Sequence, residues 1–283
     1  MTENATESIL AWTLDGHTLY STKTWYPPLL FIYNVIVLII IIGNSLTLIA
    51  YNQNPHLQTS TNLLVCNQSV SDICVGIGGM FFVWFGYTDW GIDQGMKSKA
   101  TCMLVLFTSR LTSLSSIVAI MMLTIERVIA IFHPYRYYVL ITEQSVRWMI
   151  AASWLLVVGM TSPPLLGWNT WKPGLKCFTM YVYPTSYNIL IFATFSVLCM
   201  LGTALMNIVI AVVAAKKNNV HDSSTMTSGH FKVTKMLLKV VGTFYLCWMP
   251  YLMLTVVYQM TPEAQLTSAF LCLHDVSKAL IGI

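Results

Sequence analysis

Apolar positions along this chain fall in long unbroken blocks, without the alternating or every-third-and-fourth rhythm of elements that bury one face only. The blocks run at about 27–51, 61–87, 100–132, 147–168, 186–214, 232–258 and 266–283. Each is close to or above the roughly 20 residues a helix needs to cross the hydrocarbon core of a bilayer. A segment in lipid must satisfy its backbone groups internally, so blocks of this length predict helices. The pattern therefore predicts an all-α membrane protein, a seven-transmembrane helix bundle spanning residues 27–283 as one domain. A polar stretch over residues 1–26 precedes it and is expected to lie outside the cell.

Composition sharpens this picture. Hydrophobic residues make up 56% of the 283 and charged residues 9%, and the mean hydropathy is +0.66, far from the range of soluble domains. The net charge of +4 is dispersed, and no basic stripe with interleaved aromatics is present; nucleic acid is therefore not an expected partner. The six histidines, at 17, 56, 133, 221, 230 and 274, are too scattered for a metal-dependent membrane enzyme, and no metal site is expected. Nor do the halves of the chain repeat one another as the halves of many transporters do, which leaves a transporter or channel the weaker class.

Orientation follows from the flanks. Asn4-Ala5-Thr6 is an N-glycosylation acceptor, and no basic start with an apolar run precedes the first block, so the first helix is expected to be its own insertion signal. An outside N-terminus puts Arg136, Arg147, Lys216, Lys217, Lys232 and Lys235 in the cytoplasm, against Lys23, Lys97, Lys99, Lys172 and Lys176 outside. The margin of Lys and Arg is slim but of the expected sign. Of seven cysteines, Cys66, Cys74, Cys199, Cys247 and Cys272 lie within apolar blocks, whereas Cys102 and Cys177 fall at one membrane side. A disulfide between these two suits an oxidising exterior; cysteine count alone leaves two unpaired thiols open. Residues 218–229, rich in Ser, Thr and Asn, read as a loop between the fifth and sixth blocks.

A charged side chain at the centre of a membrane helix costs about 2.5–3.5 kcal/mol, so those that occur there are functional candidates. Several polar and aromatic positions here form a series. Gly43-Asn44, Asp72, Cys102, Glu126-Arg127, Trp154, Cys177 and Cys247-Trp248-Met249-Pro250-Tyr251 stand in this order along the chain. They resemble the signature positions of class A, rhodopsin-like, G-protein-coupled receptors. The resemblance runs from Gly43 to the end of the chain, which it places inside the seventh helix. It implies a plasma-membrane receptor with a heterotrimeric G protein as its partner. Asn44 and Asp72 would share water or a sodium ion in the bundle centre. Glu126 would hold Arg127 until activation, although Val128 stands where the family usually has a tyrosine. Pro250 would kink the sixth helix by removing a backbone donor, and Trp248 and Tyr251 would line the ligand pocket.

Lys278 points within this family toward opsins. Six residues after it is the first position beyond Ile283; if the Asn-Pro pair of the seventh helix follows there, Lys278 occupies the retinal-bearing site of opsins. Leu165-Leu166-Gly167-Trp168 before Cys177, and Val233-Thr234-Lys235-Met236 before the Cys247 motif, are similarly spaced. The resemblance thus implies retinal as a chromophore. His274 and Asp275 lie one helical turn before Lys278, and Asp275 could neutralise it. The chain also departs from opsins. Val105 and Trp171 stand where their counterion carboxylates would be, Arg110 adds a positive charge two turns into the third helix, and beyond Tyr187 the fifth block has neither proline nor tyrosine. The alternative is a non-photosensory class A receptor for a small extracellular molecule or peptide, with Lys278 and Arg110 binding an anionic group.

Overall fold

The computed structural model describes residues 26–220 and, beyond them, the single positions 242, 245, 246, 248–251, 253, 254, 256, 257 and 273; the side chains of 26, 27, 29, 87 and 214–220 are outside that description. The described residues are helical with short connections, and they contain no strand. The first spanning helix covers Tyr26–Gln53, the second Ser60–Tyr87, the third Lys99–Phe132 and the fourth Glu143–Thr161. The fifth begins with a π-helical turn at Tyr187–Ala193 and continues over Thr194–Val220. The described positions from 242 to 257 and Leu273 are helical too, in the sixth and seventh expected blocks.

Polar side chains set the helix starts. Thr59, Ser98 and Thr142 each accept a hydrogen bond from the backbone N–H three residues on, satisfying a donor that the first turn would leave unpaired. The fourth helix therefore starts four residues before the apolar block, at Glu143, inside the cytoplasmic turn. It also ends at Thr161, earlier than the expected 168, because Pro163 and Pro164 supply no N–H to continue the ladder. The chain then turns through Gly167, whose φ of +126° is a conformation that residues with a Cβ rarely adopt.

Besides a single 3-10 turn at Pro55–Leu57, three short α-helices occupy the described connections and were not expected from the apolar blocks. Asp89–Lys97 lies between the second and third helices, Pro134–Leu140 between the third and fourth, and Thr179–Val182 before the fifth. The first folds back hard on the second helix: a Cβ on Gly91 would overlap the Trp84 carbonyl oxygen and lie 2.5 Å from the Phe85 Cα, so only glycine fits this corner.

The third helix is the axis of the bundle. At about 1.5 Å per residue its 34 residues extend roughly 51 Å, more than the ~30 Å hydrocarbon thickness, so it reaches past both interfaces or crosses at a tilt. Leu106, Leu114, Ile117 and Met122 along it are buried, while Phe31, Ile39, Leu155, Leu190 and Leu205 on the surrounding helices are exposed, as lipid-facing residues should be. One apolar core joins Leu64, Leu114, Ile117, Val157, Phe192, Met200 and Trp248; a second, beneath the extracellular loops, joins Cys102, Leu106, Cys177, Tyr183 and Tyr187.

Candidate functional site

At the cytoplasmic end, the last turns of the third helix carry Glu126 and Arg127. Glu126 is wholly buried and Arg127 about a quarter exposed, with Nε 3.2 Å from Oε2. Their angles do not make a hydrogen bond, so the contact is an ion pair held by charge alone. The other carboxylate oxygen, Oε1, accepts from the Thr61 hydroxyl at 2.7 Å and from the Tyr137 phenol at 2.5 Å. Thr61 and Tyr137 are themselves 2.7 Å apart. Two hydroxyl protons thus serve three oxygen–oxygen contacts. Burial, and next the bond to Glu126, raise the Tyr137 phenol above its ordinary range, which keeps it a donor at neutral pH. This closed knot joins the second helix, the third helix and the short cytoplasmic helix Pro134–Leu140.

In the middle of the bundle, Asp72 accepts on Oδ1 from Gln68 at 2.7 Å and from Ser116 at 3.0 Å, and Gln68 also donates to Ser116 at 3.2 Å. The Asn44 amide donates to the carbonyl of Ile40 in its own helix at 2.9 Å. Asn44 and Asp72 share no hydrogen bond among those described; the acid draws its donors from the second and third helices. Trp154 sits at the outer side of this region, its indole donating to Asn67 at 3.0 Å and tying the fourth helix to the second.

Toward the exterior, Cys102 and Cys177 form the expected disulfide, with Cα atoms 5.5 Å apart. The loop is held from below as well. A Cβ on Gly95 would come within 2.9 Å of the Cys177 Cβ, the Trp171 indole donates to the Gly95 carbonyl at 3.3 Å, and Gly174 donates to Met96 at 3.1 Å. Lys176, beside the bridge, is half-buried, and that burial pushes its ammonium pKa down.

Eight residues below Cys102, or about 12 Å along the helix, Arg110 is only 4% exposed. One guanidinium nitrogen donates to Asn188 Oδ1 at 3.1 Å, and the group lies 3.8 Å over the ring of Phe192. Both partners belong to the π-helical turn of the fifth helix. Trp248 is buried in the same apolar core as Phe192 and meets Tyr251 edge to face, with centroids 6.1 Å apart. Tyr245 donates its hydroxyl to the Met200 carbonyl, fastening the sixth helix to the fifth.

Lys278, Asp275 and His274, which carried the opsin reading, lie outside the described residues, as does Asn4. Among the other expected positions, Glu126 meets Arg127 and Trp248 meets Tyr251, while Asp72 and Arg110 each have partners of their own. Sequence reasoning overlooked Thr61, Tyr137, Gln68, Asn67, Asn188 and Phe192. For Gln68, Asn67 and Asn188 a signal existed, since each is an amide inside an apolar block; Thr61 and Tyr137 carry none, because hydroxyls are common at helix starts and in loops.

With this geometry in view, comparison with known proteins is informative. The family described as "7 transmembrane receptor (rhodopsin family)" matches residues 43–281. Adenosine receptor A2b of Rattus norvegicus is 29% identical over 243 residues, covering 76% of this chain and 70% of that receptor. Adenosine receptor A2b of Bos taurus is 30% identical over 74% of this chain and 68% of its own length. Adenosine receptor A2a of Equus caballus is 28% identical over 76% of this chain and 57% of its own. None of these relatives is named as an opsin, so they lend no support to a photoreceptor.

Proposed function

Because the chain belongs to the seven-transmembrane receptors of the rhodopsin family, a class A G-protein-coupled receptor, we propose that it is a non-photosensory receptor for a diffusible small molecule. As a member of this family it is a multi-pass plasma-membrane protein, a receptor and not an enzyme, with a heterotrimeric G protein as its cytosolic partner. The observation that favours a small molecule over retinal is the set of relatives named as adenosine receptors, which align with about three-quarters of the chain.

The geometry supports a conduction of binding to the cytoplasmic face. A ligand among the extracellular halves of the helices meets the layer of Arg110, Asn188 and Phe192. Phe192 shares its apolar core with Trp248, two residues before Pro250, where the missing backbone donor lets the helix bend. A ligand that prefers one packing of that core shifts the balance between helix arrangements in proportion to its differential affinity. At the far end, the arrangement that frees Arg127 from Glu126 opens a surface for the G protein.

The test is nucleotide exchange by purified full-length receptor in lipid nanodiscs with heterotrimeric G protein, measured in the dark with and without adenosine, the first probe because of the relatives' names. Ligand-dependent exchange in the dark supports the reading. A borohydride-trappable retinal adduct at Lys278 together with light-dependent exchange would replace it with the photoreceptor, and ion flux without exchange would remove the receptor reading itself.

A further inference from the structure

We infer that Arg110 is an anion anchor: it binds a carboxylate or phosphate on the small molecule, and Asn188 and Phe192 of the fifth helix hold the guanidinium in place for it. The inference rests on the small-molecule reading above and adds to it a required chemical group.

It starts from an imbalance of charge. Arg127 and Arg147 each have a carboxylate within 4 Å, as does Lys97. Arg110 is more deeply buried than any of these, yet no carboxylate among the described residues pairs with it. Its described partners are neutral: the Asn188 amide oxygen and the face of Phe192. Its Nε is buried without any hydrogen-bond partner. A guanidinium has five N–H donors in a planar fork suited to two oxygens at once, and a buried cation without a counter-charge is costly. An acidic ligand group would supply both the charge and the acceptors.

The surroundings are arranged to present the cation. The Asn188 amide donates to the Thr179 carbonyl at 3.0 Å and to the Tyr183 carbonyl at 3.3 Å. With both amide hydrogens engaged, the oxygen is oriented toward Arg110. Phe192 follows Asn188 by four residues, about one turn of the π-helical segment Tyr187–Ala193, so the amide and the ring meet the guanidinium together. Tyr187 turns its hydroxyl away to the Met160 carbonyl at 3.1 Å, and its ring meets those of Tyr183 and Trp168 edge to face. The face of Phe192 beside a buried cation fits an acid carried on a flat apolar body. A neutral nucleoside would leave the positive charge unmatched.

The experiment uses benzoate and its uncharged isostere benzamide as probes, at fixed ionic strength, with thermal unfolding of the full-length receptor in nanodiscs as the readout. Benzoate is expected to raise the melting temperature in a saturable way and benzamide to leave it unchanged. Arg110→Gln should weaken the apparent benzoate affinity by about tenfold or more, the range of a lost charge-assisted hydrogen-bond pair. Asn188→Asp keeps the shape of the side chain and sets a carboxylate against Arg110, at the cost of the two hydrogen bonds that the amide gives to the Thr179 and Tyr183 carbonyls; it should lose the benzoate response without melting higher. The comparison of benzoate with benzamide on the unsubstituted receptor carries the test if neither variant folds. Equal effects of benzoate and benzamide, or an undiminished benzoate response in Asn188→Asp, would overturn the anchor. Exchange driven by adenosine without any benzoate response removes the anchor alone, whereas a benzoate response together with a retinal adduct and light-dependent exchange keeps the anion site and removes the small-molecule reading.

Discussion

Replacing Tyr137 with phenylalanine tests whether the Glu126 knot restrains the receptor. Glu126 is fully buried, and its Oε1 takes both hydroxyls while Oε2 faces Arg127 without a hydrogen bond. A hydrogen bond to a charged group contributes about 1.5–3 kcal/mol, and the partial exposure of Tyr137 places it at the lower end of that range. Thr61 is already bonded to the same oxygen, so its single proton can serve Glu126 fully once the phenol is gone. The net loss is therefore about 1–1.5 kcal/mol, roughly a five- to tenfold shift of the closed–open balance. If the open state holds on the order of 1% of unliganded receptors, ligand-free exchange should rise by about that factor. Adding Thr61→Val leaves the buried carboxylate with Arg127 alone and should raise it further, by more than the sum of the single effects in free energy because each hydroxyl compensates for loss of the other. The assay is ligand-free nucleotide exchange per folded receptor, with Tyr138→Phe as control, since Tyr138 is 81% exposed. Wild-type exchange in Tyr137→Phe and in the double variant, with Glu126→Gln activating as expected of the ion pair, would refute the role of the two hydroxyls.

Three other outcomes follow from the same structure. Arg127→Ala should abolish coupling to the G protein while ligand binding persists; unchanged exchange would reduce Arg127 to a charge at the membrane boundary. Gly91→Ala should lower stability by about 1–3 kcal/mol through backbone overlap at Trp84 and Phe85, seen as a lower melting temperature, whereas Gly159→Ala, with no neighbour within 4 Å, should be neutral or slightly stabilising. Cys102→Ser and Cys177→Ser should each reduce surface delivery by releasing the second extracellular loop from the third helix, and full surface expression of both would contradict this.

Sequence made the spanning helices legible because lipid imposes one demand on every residue of a span, and the apolar blocks record it directly. The Thr142 cap and the Pro163-Pro164 stop moved the ends of the fourth helix because both act through single backbone groups that a hydropathy block averages away. The short helix Asp89–Lys97 is polar and takes its place through close packing at Gly91 and Gly95, and Pro134–Leu140 is tied to the bundle through Tyr137, contacts that no linear pattern encodes. The site shows the same division. Glu126 and Arg127 were legible as adjacent charges closing an apolar block, but Thr61 lies 65 residues before Glu126 and only the fold brings them together. Asn44 and Asp72 were expected to share water or a sodium ion; the direct partner of the Asn44 amide is the Ile40 carbonyl one turn back, a bond that no pattern of positions announces.

The fifth helix shows how a departure from family pattern can be compensated by other residues. It has no proline between Pro184 and Pro250, so no ring breaks its ladder near the ligand layer. The ladder is opened there all the same. Residues Tyr187–Ala193 take a π-helical turn, and just after it the Thr194 hydroxyl donates to the Ile189 carbonyl, five residues back, at 2.8 Å. A π turn admits an extra residue per turn, which rotates everything before it relative to everything after it. Asn188 and Phe192 fall within the turn and meet Arg110, while the regular helix beyond sets Met200 to accept from Tyr245 and Asn207 to reach Thr124 at 3.4 Å. The same local widening therefore places the groups that hold the buried cation and keeps the lower half of the helix in register with the third and sixth. A substitution that restores a regular α-helix here would turn either the upper pair or the lower pair away from its partners, so the cradle of Arg110 and the packing of the lower helix are linked through this one turn.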